Sequence, residues 1–343
     1  MKIFCPTYVK DFKCDGKFCG SRCCRDWRIL LDGETREKYL RLPAAAREEI
    51  FSHVDEDTQA FKMKRSGACP FLDENFLCKL QLAHGEEFLT AVCQSFPRVT
   101  YKIGGEIFSQ AMTLTCPVAA ILILLRNEPL AFEVFDKLNA RQVFDFTERI
   151  SSAENFLELQ RGAIKILQRR DLPINLRLKN LCEFFGEKIS AAVDFDEENH
   201  AAALTEIFGE TYDASMTVDK KNQLVEIYRE HRKNILPQLR KNFSVVLENY
   251  LVNEFVMRCY PAAFTGDEAF NCRVFVTTYR ALEFAAVLTT ISRRGMTVED
   301  FFELLCALND KLDHSRGGME AIRNFAELHD AEVFYSMMIE RGD

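Results

Sequence analysis

Cysteines crowd the first third of this 343-residue chain: nine of the thirteen lie at or before Cys116. Four of them fall in the run CDGKFCGSRCC (Cys14 to Cys24), a loop that also holds Gly16 and Gly20. A tight loop brings several sulfurs to one point, and glycine permits the backbone angles that such convergence requires. The run therefore predicts that the first part of the chain folds around a metal centre.

Four later cysteines extend this candidate ligand set to eight. The set is Cys14, Cys19, Cys23, Cys24, Cys69, Cys78, Cys93 and Cys116. Eight thiols make two four-sulfur sites, or four hold one centre while the others support it or bind nothing. The adjacent Cys23 and Cys24 are expected to point apart, so they serve different sites, or one ligates while the other packs. Zinc and iron-sulfur clusters both accept four cysteines, and the spacing favours neither.

The remaining cysteines are interpreted differently. Cys5 stands outside the ligand set, and four others are scattered singly along the second part of the chain. Isolated cysteines are usually small buried hydrophobic residues, and the alternative for the eight is likewise that most are structural. The four predicted core cysteines are Cys182, Cys259, Cys272 and Cys306.

Composition and charge exclude several classes of protein. The net charge of −8 argues against a protein that wraps duplex nucleic acid, because such binding needs many Lys and Arg. The first residues lack the apolar core of a signal peptide. The strongly apolar run Val118 to Leu125 is far shorter than the roughly 20 residues of a membrane-spanning helix. We therefore expect a reduced, cytoplasmic protein with no membrane and no nucleic-acid partner.

The predicted fold is mainly α. Residues 1–125 are expected to form a small α+β cysteine-rich metal-binding module with short hairpins, packed on a larger all-helical domain of residues 126–343. One hairpin is predicted in CPFLDENFLCKL, with Asp73 in its turn, and a second in TYKIGGEIFSQAMTL, with Gly104 and Gly105 in its turn. Residues 27–31 are predicted to be a short strand, Cys93 to lie on a helix, and Pro117 to begin one.

Helical spacing repeats through the second part of the chain. Two packing stripes are predicted, namely Phe156, Leu159, Ala163 and Ile166, and then Phe301, Leu305, Leu308 and Leu312. Long helices fit 217–236, 239–258 and 267–293, with breaks at Pro237, Pro261 and Gly295. The polar segment 191–218 is expected to be a looser connection.

Several segments together resemble the flagellin lysine-N-methylase family, the FliB-like proteins. They are PTYVKDFKCDGKFCGSRCCRDWRI, GACPFLDENFLCKL, EEFLTAVCQSFPR and TLTCP. The cysteine pattern alone is also similar to a broader family of zinc- or iron-chelating proteins. Trp27 after the cysteine pair, the SFPR segment, and a large helical domain with ENYLVNEF (248–255) and LDHS (312–315) favour the methylase family.

The resemblance implies methyl transfer from S-adenosyl-L-methionine (SAM) to lysines of flagellin, and a cysteine-bound centre expected to be [4Fe-4S], with Zn²⁺ as the alternative. A lysine must first lose its proton, since its unperturbed pKa is about 10.4. Glu248, Tyr250, Asn253 and His314 are the catalytic candidates, because they lie in family-like segments. The alternatives are that Tyr250 belongs to an apolar helical stripe and that His314 caps or satisfies the end of its helix.

The sequence has no glycine-rich strand-turn-helix of the kind that binds a nucleotide cofactor in the usual methyltransferase fold, so the SAM site is not located. Two other functions therefore remain open. The main alternative is a non-enzymatic zinc- or iron-binding or redox-sensing protein whose helical domain docks a partner. A weaker one is metal delivery or storage.

Overall fold

The computed structural model describes residues 2–25, 27–136, 141–187, 197–213, 215–314 and 317–328. The chain is mainly helical, with 60% helix and 15 α-helices in this part, beside a small sheet. It divides into two compact units. The cysteine-rich unit comprises Met1–Lys102, Glu106–Leu122 and Phe132–Asp145. The helical unit comprises Ile103–Gly105, Ile123–Ala131 and Phe146–Asp343.

Seven strands are described. They are β1 Lys2–Pro6, β2 Val54–Asp55, β3 Ala60–Phe61, β4 Arg98–Gly104, β5 Ile107–Met112, β6 Phe132–Phe135 and β7 Phe144–Asp145. Five form one sheet in the order β6-β1-β5-β4-β7, while β2 and β3 pair separately. β1 runs parallel to β5 and antiparallel to β6, so Phe4 lies opposite both Ser109 and Val134. This double pairing buries Ile3, Phe4 and Cys5.

The hairpin predicted around Gly104 and Gly105 is confirmed: β4 and β5 are neighbours in the sheet, and the two glycines have φ values of +149° and +50°. In CPFLDENFLCKL the structure has a tight loop with one bridge, Leu72 to Cys78, instead of two strands. The Asp73 carboxylate closes this loop by accepting hydrogen bonds from the backbone N–H of residues 75 and 77. These two side-chain hydrogen bonds take the place of the backbone hydrogen bonds that the strands of a longer hairpin would form.

The prediction of a strand over residues 27–31 is wrong. Within that segment the structure has only an isolated bridge, between Leu30 and Ala60. Two backbone hydrogen bonds, from Leu31 N to Gln59 O (2.8 Å) and from Phe61 N to Ile29 O (2.9 Å), hold the segment against β3. The partner strand is only two residues long, so no regular ladder develops.

Short helices complete the cysteine-rich part of the fold. They are α1 Tyr8–Asp11, α2 Gly16–Cys19, α3 Gly33–Leu40, α4 Ala44–Ser52, α5 Lys79–His84, α6 Ala91–Ser95 and α7 Pro117–Leu124. Three-residue 3₁₀ turns cover Arg22–Cys24, Glu86–Phe88 and Thr147–Arg149. Cys93 lies on α6 and Pro117 begins α7, as predicted.

The helical unit contains eight longer helices among the described residues. They are α8 Ala153–Leu167, α9 Ile174–Phe184, α10 Glu197–Tyr212, α11 Val218–Asn242, α12 Ser244–Met257, α13 Glu268–Arg293, α14 Val298–His314 and α15 Gly318–Leu328. The whole α14 stripe is buried, as predicted. On α8, Phe156 and Ala163 are buried but Leu159 and Ile166 are half-buried, so the predicted stripe lies at the edge of the packed face.

Two predictions about helix limits are wrong. Pro237 lies inside α11, which continues to Asn242. A proline removes one backbone hydrogen bond, but Leu236 and Leu239 on either side of it are buried and offset that loss. The predicted connection over 191–218 contains α10 from residue 197, while residues 191–196 lie outside the described part. The breaks predicted at Pro261 and Gly295 are confirmed, since α12 and α13 end before them.

Helix α13 is the central helix of its unit. It is long and apolar enough to cross a membrane by length and composition, but 78% of its apolar window is buried inside the protein. A buried apolar helix is typical of a protein core.

Candidate metal centre

All eight cysteines of the candidate ligand set line one cavity of about 670 Å³ within the cysteine-rich unit. The residues come from positions as far apart as Cys14 and Cys116, so the fold brings together thiols that are distant in the sequence. Cys5 is buried but does not line the cavity. The four scattered cysteines of the helical unit are buried, as predicted.

Local backbone geometry positions the first four thiols. The Asp15 carboxylate caps α2 by accepting a hydrogen bond from Phe18 N at 3.0 Å. Gly20 then adopts the left-handed conformation (φ +62°) and ends the helix, as glycine does without steric cost. The 3₁₀ turn Arg22–Cys24 follows and carries Cys23 and Cys24. Gly20 and the 3₁₀ turn thus separate Cys19 from Cys23, and both residues line the cavity.

Gly16 is required for a different reason than the backbone angle that the sequence suggested. A Cβ atom at this position would lie 2.6 Å from Ser21 Oγ and 2.7 Å from the Phe76 carbonyl oxygen. Ser21 Oγ itself donates a hydrogen bond to that carbonyl at 2.6 Å. The absence of a side chain at Gly16 thus lets the cysteine loop approach the loop that precedes Cys78.

Gly16→Ala is expected to destabilise the protein by about 1–3 kcal/mol, because the added methyl meets a backbone atom that cannot rotate away. Urea unfolding of the two proteins measures the difference. Gly33→Ala is the matched control, since nothing lies within 4 Å of a Cβ at that helical position. Equal stabilities of Gly16→Ala and the original chain would contradict the close approach.

The later thiols are placed by backbone contacts and by a hydrophobic cluster. Cys69 N donates to Cys24 O at 2.8 Å, and Cys78 pairs with Leu72 in the bridge described above. Cys93 N donates to the Thr90 hydroxyl that caps α6. Four of the thiols pack with a cluster that includes Ile29, Phe61, Phe71 and Leu80; these are Cys24, Cys69, Cys78 and Cys93.

Burial keeps most of these thiols protonated in the absence of a metal. It raises the pKa of Cys69 and of Cys93 to about 12, and that of Cys116 to about 11. A hydrogen bond between neighbouring thiols raises the pKa of Cys23 and lowers that of Cys24. Since the thiolate is the metal ligand, binding at this cavity would release protons.

The donor set fits a sulfur-ligated centre by its chemistry. In the described part of the chain, however, no three His, Cys, Asp or Glu side chains are placed so that they could hold a metal ion. Four sulfurs on one zinc lie about 3.8 Å apart, as Zn–S bonds of about 2.3 Å require. The thiols therefore line the cavity without meeting at one point.

The catalytic candidates of α12 are buried. The Glu248 carboxylate accepts hydrogen bonds from Arg170 (2.9–3.1 Å) and from Arg177 (3.0 Å), so both its oxygens are occupied. Burial raises the pKa of Tyr250 well above its usual value, and Tyr250 lines a space of only about 10 Å³. Asn253 is fully buried. His314 is the last residue of α14, and its side chain lies outside the described part; the roles of all four stay predictions.

The sequence did not lead us to predict a buried charge cluster that lies near Tyr250. Glu254 Oε2 accepts from Arg258 Nε at 2.8 Å, and Arg258 Nη2 donates to Asp313 at 2.7 Å. Two carboxylates here share one guanidinium. Burial, opposed by Arg258 and assisted by Asp313, raises the pKa of Glu254 to about 7. The i,i+4 spacing of Glu254 and Arg258 was the available signal, but the contribution of Asp313 depends on the tertiary fold.

Glu254→Gln is expected to flatten the pH dependence of stability between about pH 4.5 and pH 7. The folded state holds the Glu254 proton more tightly than the unfolded state, whose pKa is about 4.5, so this group favours folding most at low pH. That contribution is lost as pH rises through 7, and the shift sets its size at about 3 kcal/mol or less. Urea unfolding at pH 5 and pH 8 measures it.

Glu158→Gln, an exposed change on α8, is the control for that measurement. It should retain the pH dependence of the original protein. An unchanged slope in Glu254→Gln would show that Glu254 is ionised throughout this range.

The chain is similar to known lysine-N-methylases and to a flagellar biosynthetic protein. A family model described as the FliB lysine N-methylase C-terminal domain matches residues 198–339. The chain is 30% identical over 166 residues to the lysine-N-methylases of Salmonella choleraesuis and Salmonella typhimurium, which covers 45% of this chain and 40% of each relative. It is 31% identical over 144 residues to the flagellar biosynthetic protein FliU of Salmonella muenchen, covering 38% of this chain and 81% of that protein. No solved structure matches the chain.

Proposed function

Because the chain belongs to the FliB-like lysine N-methylase family, we propose that it is a protein-lysine N-methyltransferase that acts on flagellin with SAM as methyl donor. The observation that carries this proposal is the match of the FliB C-terminal domain model to residues 198–339. The chain aligns with only 40% of the length of the two lysine-N-methylases, so their activity comes to it as part of the proposal. The proposal includes a cytoplasmic location.

The reaction sets one chemical demand on the site. The lysine Nζ lone pair forms the new N–C bond while the C–S bond of the sulfonium breaks, and the products are methyl-lysine and S-adenosylhomocysteine. Lysine Nζ carries a proton below its ordinary pKa of about 10.4, so a neighbouring group or water must accept that proton first. For Glu248 to accept it, its contacts with Arg170 and Arg177 would have to open.

The proposal also includes a metal centre whose ligands come from the eight cavity cysteines, a [4Fe-4S] cluster in the first instance and Zn²⁺ as the alternative. The buried thiols that line the cavity support this assignment. An iron-sulfur cluster, when bound, supplies a redox centre and cross-links the segments that carry its ligands. This chain's residues shield such a centre, because Ile29, Phe71 and Leu80 exclude water from one side of the cavity.

The methylase proposal is tested with anaerobically purified full-length protein, flagellin and SAM. The expected result is flagellin peptides whose lysines gain one methylene mass per transferred methyl group, with equimolar S-adenosylhomocysteine. Reactions without SAM, and with a lysine-rich protein unrelated to flagella, are the controls. Metal-loaded protein that produces no methyl-lysine would overturn the proposal.

The metal proposal has its own readout. A broad visible absorption band that bleaches on reduction, together with iron in the purified protein, is expected for an iron-sulfur cluster. Colourless protein that contains zinc would replace the cluster with the zinc alternative. Metal-loaded protein that binds flagellin without methylating it would support the non-enzymatic metal-binding or redox-sensing function.

A further inference from the structure

We propose that the eight cavity cysteines form two separate four-thiolate metal sites. The core set is Cys24, Cys69, Cys78 and Cys93, and the outer set is Cys14, Cys19, Cys23 and Cys116. This partition rests on the metal centre of the proposed function, and it does not depend on methyl transfer.

Packing separates the two sets. Cys69 belongs to the hydrophobic cluster around Phe61 and Phe71, and the other three thiols of the core set pack against that cluster. No member of the outer set does either. The core set therefore lies on an apolar wall of the cavity, whereas the outer set includes both the exposed Cys14 and the buried Cys116.

Backbone hydrogen bonds join the members of the core set. Cys69 N donates to Cys24 O, and Leu72 N donates to Cys69 O at 3.1 Å. The bridge between Leu72 and Cys78 extends this connection, and Lys79 N donates to Phe71 O at 2.8 Å. Three of the four thiols are thus carried by one hydrogen-bonded substructure, and α6 adds Cys93 from the neighbouring segment.

Electrostatic neighbours follow the same partition. The thiols that lie near Cys116 are those of Cys19 and Cys14, both of the outer set. The thiols that lie near Cys93 are those of Cys24, Cys69 and Cys78, the rest of the core set. Cys24 is also a neighbour of Cys14 and Cys23, which places the boundary between the sets there.

The boundary between the sets is the adjacent pair Cys23 and Cys24. Consecutive Cα atoms are about 3.8 Å apart, and each cysteine side chain turns about a single χ1 bond with three staggered wells. The two thiols are electrostatic neighbours in this structure, and rotation about one χ1 bond moves a sulfur from one staggered well to another. The Trp27 indole donates to the Cys23 carbonyl and holds the backbone at this turn. One thiol of the pair can thus serve each set.

A single zinc ion or [4Fe-4S] cluster accepts four cysteine thiolates. One centre would leave four further thiols around the same cavity without a ligand role. Two sets of four use all eight, and each set takes its ligands from segments that lie close together. The outer set alone includes an exposed ligand, so its centre is the one that external chelators and reductants reach first.

The test uses full-length protein reconstituted anaerobically with iron and sulfide, or separately with zinc. Metal content and native mass spectrometry count the centres per chain, and Mössbauer spectroscopy resolves them in the iron form. The outer double variant is Cys14→Ala with Cys116→Ala, the core double variant is Cys69→Ala with Cys93→Ala, and Cys5→Ala is the control. Two centres are expected in the original protein and in the control.

Each double variant is expected to lose half of the metal and to keep the spectrum of the other centre. The outer variant decides the question if the core variant fails to fold, because it leaves the hydrophobic cluster intact. One centre per fully loaded chain, an outer variant without metal, or an original chain that binds no metal would each overturn the proposal. Two centres without methyl-lysine would refute the methylase alone, and methylation with one centre would refute the partition alone.

Discussion

Glu283→Gln is expected to destabilise the protein by about 3–5 kcal/mol, since it leaves buried charges without their partner. Glu283 is fully buried in α13. Its carboxylate accepts from Arg240 at 2.7 and 3.1 Å and from Arg280 at 2.5 Å, and both arginines are buried as well. A neutral amide cannot balance two guanidinium groups in an apolar interior. Urea or thermal unfolding measures the loss.

The pH dependence of this loss gives a second check. Burial alone would raise the pKa of Glu283, but Arg240 and Arg280 outweigh it and lower the pKa to about 2. The ion pair therefore contributes fully above the ordinary glutamate pKa of about 4.5, and its contribution disappears as pH falls toward 2. The difference between the variant and the original protein should shrink over the same range.

Glu226→Gln is the matched control, because Glu226 pairs with Arg229 on the surface, where its side chain is 74% exposed. Exposed pairs contribute about 0–1 kcal/mol. A loss of unfolding free energy for Glu283→Gln no larger than that for Glu226→Gln would contradict the prediction that the charges around Glu283 are buried and need one another as partners.

Removal of the proposed metal centre is expected to increase hydrogen exchange in the cysteine-rich unit on the order of 100-fold or more, since a bound metal supplies much of a small unit's folding free energy. The apo thiols are protonated at neutral pH, because burial raises the pKa of Cys69 and Cys93 to about 12. They then no longer hold the cavity walls together. Exchange mass spectrometry of the segments around Cys24, Cys69 and Cys78 measures the effect.

Helix α13 is the internal reference for that experiment, since it belongs to the helical unit and contains no cavity cysteine. Its amides should exchange at the same rate with and without metal, and restoring the metal should restore protection around Cys69. Equal protection of the cysteine-rich segments in both forms would mean that the centre does not stabilise them.

The sequence predicted the helical part best where one face is continuously apolar. Phe301, Leu305, Leu308 and Leu312 are all buried on α14, because helical period and burial coincide there. Pro237 misled the prediction, since a local rule about proline was outweighed by the packing of Leu236 and Leu239. Local signals thus gave the helices more reliably than their limits.

The candidate site was predictable to a different extent. The clustering of the thiols indicated that they gather, and all eight line one cavity. The charge clusters around Glu283 and Glu254 could not be predicted, because Arg240 and Asp313 reach them from other helices. The sheet could not be predicted either, because nothing local in residues 2–6 indicates that β1 pairs with both β5 and β6.

The double pairing of β1 has a consequence for biosynthesis. Its partners β5 and β6 reach to Phe135, and the edge strand β7 ends at Asp145, so the five-stranded sheet cannot be complete until residue 145 has left the ribosome. Cys24 emerges roughly 90 residues before Cys116, which at about 5–20 residues per second corresponds to on the order of 5–20 s. During that interval the thiols up to Cys24 belong to a chain that has not yet folded around them. The reducing power of the surroundings at the ribosome therefore helps to determine how many molecules reach the folded state with their thiols intact.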